Sequence, residues 1–171
     1  MKPLMFYLLC IIMLQVFATN GQPNKIPYAE LYTLDGIKTD TRAITNEQNP
    51  LILVIWKSYD KDCCENLFTI CDIWKEKLKS KGVKMVAVCT DCVGKTDHIK
   101  PFVFGHGIDA QIFIDKNGDF KRKMGISDGP FTILYDKNME VYCKYSGYCN
   151  GVDEALCEKV NKCLDGIALN E

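Results

Sequence analysis

The chain has 171 residues, with 21 Lys and Arg set against 22 Asp and Glu, and it carries ten cysteines. A charge this balanced, with no basic stripe and no nucleic-acid motif, argues against a nucleic-acid partner. So many cysteines argue for an oxidising compartment and for disulfides.

Residues 1–21 read as a secretory signal. Lys2 precedes an apolar run from Leu4 to Leu14, and the small and polar stretch from Gln15 to Gln22 follows. The run is too short for a membrane span, which needs about 20 apolar residues. Cleavage after Ala18 and cleavage after Gly21 both fit. The expected product is exported, periplasmic or secreted, with residues 22–171 forming one domain. It keeps 20 basic and 22 acidic side chains and nine cysteines. Nine is odd, so at least one thiol is free, capped or paired between molecules.

Residues 20–27 are a polar lead. Leu34 meets Asp35-Gly36, a strong hairpin signal, and predicts a β-hairpin over about 29–40. After a polar connector, Leu51–Trp56 gives six apolar residues, a strand buried on both faces. Asp62-Cys63-Cys64-Glu65 then fits an acidic capping box, with Asp62 as N-cap. Leu67, Ile70, Cys71, Trp74 and Leu78 follow at helical spacing, and the helix closes at Lys79-Ser80-Lys81-Gly82. Lys84–Cys89 is the next strand. His98–His106 predicts a short helix interrupted by Pro101. Strands are expected over 110–115, 130–135 and 140–145, with Val141, Cys143 and Tyr145 on one face, and a helix closes the chain.

This pattern predicts an α/β fold in which a mixed sheet is flanked by helices. The strand–helix–strand unit gives parallel neighbours, so loop 57–64 and segment 89–92 meet at one end of the sheet. Cys63 and Cys64 lie in a helix's first turn, where free N–H groups and the helix dipole favour a thiolate. The plainer alternative makes either one half of a structural disulfide. Cys143, Cys149, Cys157 and Cys163 predict a disulfide-stapled C-terminus with three possible connectivities. Cys71 reads as a buried thiol, and His98 and His106 as surface or helix-end residues. The sulfurs at 63, 64, 89 and 92 could be counted as a metal site. Adjacent cysteines are awkward donors to one ion, and no metal or other cofactor is expected.

Over about residues 28–165 the chain resembles the thioredoxin superfamily, most of all its TlpA/ResA-like (redoxin) exported thiol–disulfide oxidoreductases. The resemblance rests on Leu34-Asp35-Gly36, on Leu51–Trp56 and on the stretch from Met124 to Asp136, which includes Gly129-Pro130-Phe131-Thr132. It implies a thioredoxin-like fold with a leading hairpin, and a cis-proline at Pro130 beside the active site. It also implies protein or peptide thiols and disulfides as partners at that edge, bound by a monomer. The departure is central. The family has Trp or Tyr and then Cys-x-x-Cys. Here Tyr59 fits and Cys63 stands at the resolving position, but Asp60 replaces the nucleophile, and a carboxylate cannot form a mixed disulfide.

Two functions follow. In the first, Cys63 or Cys64 attacks and Cys64, Cys89 or Cys92 resolves, giving atypical exchange. In the second, the chain is a disulfide-stabilised, non-catalytic binding module.

Overall fold

The computed structural model describes residues 24–91, 96–148 and 151–167. The expected signal peptide, Cys92 and Cys149 lie outside the described residues. A seven-stranded mixed sheet runs in the order β2-β1-β5-β4-β3-β6-β7. β1 (Glu30–Thr33) and β2 (Lys38–Asp40) form the expected hairpin, and Gly36 takes the positive φ that its turn requires. At the centre, β3 (Leu51–Trp56) pairs in parallel with β4 (Lys84–Cys89), which pairs in parallel with β5 (Gln111–Ile114). On its other side β3 meets β6 (Phe131–Tyr135) antiparallel, and β6 meets β7 (Val141–Ser146).

All six residues of β3 are buried, because both faces of the sheet are covered. Ile52, Val54 and Trp56 face one core, with Leu67 and Ile70 of α1 (Lys61–Ile73), Ile99 and Val103 of α2 (Ile99–Gly105), and Leu156 and Val160 of α4 (Val152–Leu164). Leu51, Leu53 and Ile55 face the other, with Phe120 of α3 (Asp119–Lys123), Met124 and Leu31. Layers on both faces leave the strand ends as the open ground for a site.

Several local expectations need correction. The N-cap of α1 is Asp60, whose carboxylate accepts from the Cys63 N–H at 2.9 Å; Asp62 lies in the first turn and points to solvent. Starting at 61 turns Cys63, Leu67, Ile70 and Trp74 inward as one stripe. Beyond Ile73 the helix widens into a π turn over Trp74–Leu78, then tightens to a 3-10 turn that ends at Gly82. Pro101 does not interrupt α2: it sits in the first turn, where no helical N–H partner is lost. On β7 a bulge opposite Leu134/Tyr135 breaks the alternation. Cys143 and Tyr145 pack on the first core, while Val141 packs on the second.

Of the expected C-terminal staple, Cys149 lies outside the described residues, and Cys143 and Cys163 are free thiols. These C-terminal sulfurs do not bridge to one another. They pack, half-buried, against the first core as small apolar groups. Burial pushes the Cys163 thiol up to about 11.

Tyr135 is wholly buried, and its hydroxyl has no hydrogen-bond partner among the described residues. A buried, unpaired hydroxyl costs about 1–3 kcal/mol. Tyr135→Phe is therefore expected to raise stability by about 1 kcal/mol in urea denaturation. A loss of that size would instead reveal a partner for the hydroxyl.

Candidate functional site

The parallel pairing of β3 with β4 sets Trp56 against Cys89, so both strands deliver their next residues to one place. The Thr90 N–H donates to the Trp56 carbonyl at 2.9 Å and fixes the two exits together. Asp91 follows at once and is buried. Its Oδ1 accepts from the Ser58 N–H at 2.9 Å, and its Oδ2 accepts from the Ser58 hydroxyl. His98, the N-cap of α2, closes the group: its Nε2 lies 2.5 Å from Ser58 Oγ and 3.4 Å from Asp91 Oδ2. Because the same ring nitrogen faces both partners, this is not a nucleophile relay, in which the base uses one nitrogen for each neighbour. It is a latch that holds the loop after β3 onto the end of β4.

That latched loop feeds α1. Asp60 caps the helix with its side chain on Cys63 N–H, and its carbonyl accepts from the Cys64 N–H at 3.0 Å. The Cys64 thiol donates back to the Ser58 carbonyl at 3.3 Å. Cys63 and Cys89 are fully buried, and Cys64 is half-buried. The structure therefore brings Cys63, Cys64 and Cys89 to one end of the sheet, as the pattern implied.

Their chemistry differs from the expectation. The helix start does not make either cysteine a thiolate. Burial pushes Cys63 up to about 12, and the neighbouring Asp60 charge adds to the rise against an opposing backbone contact from Lys57. Cys64 is also raised, by burial first and then by Asp60, Asp91 and Glu65. Cys89 is raised most, by burial and by Asp91. Here desolvation and nearby carboxylates outweigh the dipole. The positive end of α1 is already occupied by Asp60, so little of it is left for a thiolate.

Pro130 is buried at the start of β6, and its carbonyl accepts from the Gly147 N–H at 2.9 Å. The peptide before it is trans, as there are no cis bonds among the described residues. Gly129, at φ +112, supplies the change of direction through a backbone shape open to glycine, and X–Pro bonds favour trans by about 0.5–1 kcal/mol. Two residues on, Thr132 accepts from the buried Asn66 of α1 at 3.1 Å, tying this strand to the helix.

Tyr59 is exposed, with Lys57 Nζ 5.8 Å from its ring centre. Lys57 also reaches across to Asp128. Sequence reasoning does not single out Lys57, Ser58, Asp91, His98 or Asp128 as site residues. The available signal was position: an acid directly after a buried parallel strand emerges beside its neighbour's loop. Among the described residues no group of three or more His, Cys, Asp or Glu is placed to hold a metal ion, and no helix is long and apolar enough to cross a membrane.

A central β3–α1–β4 crossover, antiparallel β6 and β7 and a leading hairpin, with the site at the start of α1, define a thioredoxin-like protein. The chain belongs to the Redoxin family, whose model matches residues 21–154. Among solved structures it is similar to a candidate thiol:disulfide interchange protein DsbE from Chlorobium tepidum. That match has 23% identity and a TM-score of 0.71, covering 84% of this chain and 97% of that one. A thioredoxin-like protein from Porphyromonas gingivalis matches at 27% identity and TM-score 0.71, covering 85% and 95%. A secreted disulfide oxidoreductase of Mycobacterium tuberculosis, described as homologous to DsbE, matches at 14% and 0.62, covering 78% and 94%. No curated protein matches the chain.

Proposed function

We propose that this chain is an exported, monomeric redoxin that engages a peptide segment of a partner protein at the edge beside Pro130, without two-cysteine exchange. The observation that carries this reading is Asp60. Its carboxylate caps α1 and accepts from Cys63 N–H, and by resemblance it stands where the family carries its nucleophile. It can form no mixed disulfide, and its charge helps keep Cys63 protonated. What remains is a shaped end of a thioredoxin-like sheet with an exposed aromatic ring. The names of the Chlorobium tepidum and Mycobacterium tuberculosis neighbours, together with the apolar run at the front of the chain, support export and contact with protein thiols or disulfides.

A second reading keeps some redox chemistry. Cys64 is the most accessible of the three described site thiols, and it stands in the first turn of α1. In that reading it exchanges slowly, with Cys63, Cys89 or Cys92 as resolving partner. One assay separates the two: reduction of a protein disulfide by wild type and by the Cys63→Ser, Cys64→Ser double variant. Equal, background-level rates are expected. A wild-type rate that is clearly higher and lost in the double variant would overturn the binding reading in favour of exchange through the native cysteines.

A further inference from the structure

Next to the latch lies a cleft of about 650 Å³, walled by Lys57, Lys116, Lys121 and Arg122 and bordered by Tyr59. Two acids, Asp91 and Asp128, also line it. The side chains of Ser58 and His98 hold Asp91 in the latch. The cleft thus sets four cations against two acids, in a chain whose overall balance is slightly negative. A cleft lined by one sign of charge draws the opposite sign into it.

Asp128 indicates which chemistry the walls accept. It is a loop carboxylate, 78% exposed, yet one of its oxygens is held by two ammonium groups at once: Lys57 Nζ at 2.5 Å and Lys121 Nζ at 2.6 Å. These lysines are themselves largely buried, at 15% and 24% exposure. They grip the carboxylate tightly enough to hold it down at about 2. Along the same wall, Lys116 rides over the Tyr32 ring at 4.4 Å, and the exposed Arg122 gives one N–H to the Asn117 carbonyl at 2.8 Å and lies 3.9 Å from Asp119. Both bring further positive charge to the cleft.

We infer that this cleft is a carboxylate-reading site for an acidic, extended segment of a partner protein, and that Asp128 is its built-in competitor. One carboxylate of the partner replaces Asp128 between Lys57 and Lys121. A second reaches Lys116 and Arg122, and the Tyr59 ring covers the segment's backbone. The volume suits a few residues rather than a whole domain. This deepens the binding reading above by naming the partner's chemistry, and its test uses no cysteine and no redox turnover.

The experiment titrates the full mature chain with a fluorescein-labelled Gly/Ser peptide carrying four glutamates, and with the same peptide carrying glutamines. The glutamate peptide is expected to bind and the glutamine peptide not to. Lys116→Glu with Arg122→Glu should weaken binding at least about tenfold, as should a rise in salt that screens exposed charge. The sharper expectation concerns Asp128→Asn, which frees Lys57 and Lys121 and should tighten binding several-fold. Asp109→Asn is the control. It removes the same charge and frees Lys79, which lines no part of the cleft. Equal tightening by both variants would reduce the effect to net charge and overturn the inference. Inorganic phosphate that displaces the peptide at equal concentration would also overturn it, by assigning the cleft to a small oxyanion. No binding of the glutamate peptide, with wild type silent in disulfide reduction, would remove the cleft assignment and leave the binding reading standing.

Discussion

Asp60→Cys is expected to give the chain protein-disulfide reductase activity on the order of tenfold or more above wild type, because it places a thiol nucleophile at a helix start. The substitution makes a Cys-x-x-Cys motif that ends at Cys63, on a scaffold already arranged for it. The Asp60 carboxylate now accepts from the Cys63 N–H at 2.9 Å. A thiolate at the same place would inherit that donor and the free positive end of α1. The change also removes a charge that raises the Cys63 pKa. Against this, the largest cause of that rise is burial, which stays. Losing a good N-cap costs about 1 kcal/mol of stability, and Cys64 competes for the new thiol. The gain should therefore fall short of a standard two-cysteine enzyme. The assay compares wild type, Asp60→Cys, and Asp60→Cys with Cys63→Ser, which should lose turnover while still trapping a mixed disulfide. If wild type already matches Asp60→Cys, then Asp60 does not hold the nucleophile position and the native cysteines carry the chemistry.

The fold was legible from its strongest local signals. Leu51–Trp56 is a strand buried on both faces because six apolar residues in a row leave no polar face to turn outward. Asp35-Gly36 turns the hairpin because glycine reaches the positive φ there. Sequence places the N-cap two residues late, at Asp62 rather than Asp60, because the two are equally good caps by type. The choice belongs to packing, since a start at 61 sends Cys63 and Leu67 into the core. The C-terminal thiols show the same limit. Spacing cannot tell a bridge from a cysteine that packs as a small hydrophobe, as Cys143 does on β7. The latch was hidden for another reason. Ser58, Asp91 and His98 are 33 and 40 positions apart by their bonds, and only the parallel register of β3 and β4 brings them together. The trans bond at Pro130 corrects an expectation that rested on resemblance, and the raised thiols correct one that counted the helix dipole but not burial and the nearby carboxylates.

The same buried thiols should make the fold unusually sensitive to alkali. Cys63 and Cys71 are each pushed up to about 12, and Cys89 further still, burial being the first cause in all three. In the unfolded chain a thiol ionises near 8.5. Above that pH the unfolded state has released protons that the folded state still holds. Since it then binds fewer protons, stability must fall as pH rises, until the folded pKa values are reached. Each thiol contributes a slope of roughly 1 kcal/mol per pH unit, and Cys163, pushed up to about 11, acts with these three, so several kcal/mol should go between about pH 8.5 and 10. That is a large share of the roughly 5–15 kcal/mol that holds a domain together. The measurement is urea denaturation at steps from pH 7.5 to 10 under a reductant that keeps the thiols free. Staying below pH 10 limits the contribution of lysine and tyrosine. Cys71→Ala, away from the site on α1, should lower stability at pH 7.5 through its cavity yet flatten the pH slope by up to about a quarter, since one of at least four titrating thiols is gone. Stability that stays level from pH 8 to 10 would mean that these thiols ionise as readily folded as unfolded. In that case burial would not be what keeps the site's sulfurs from acting as nucleophiles.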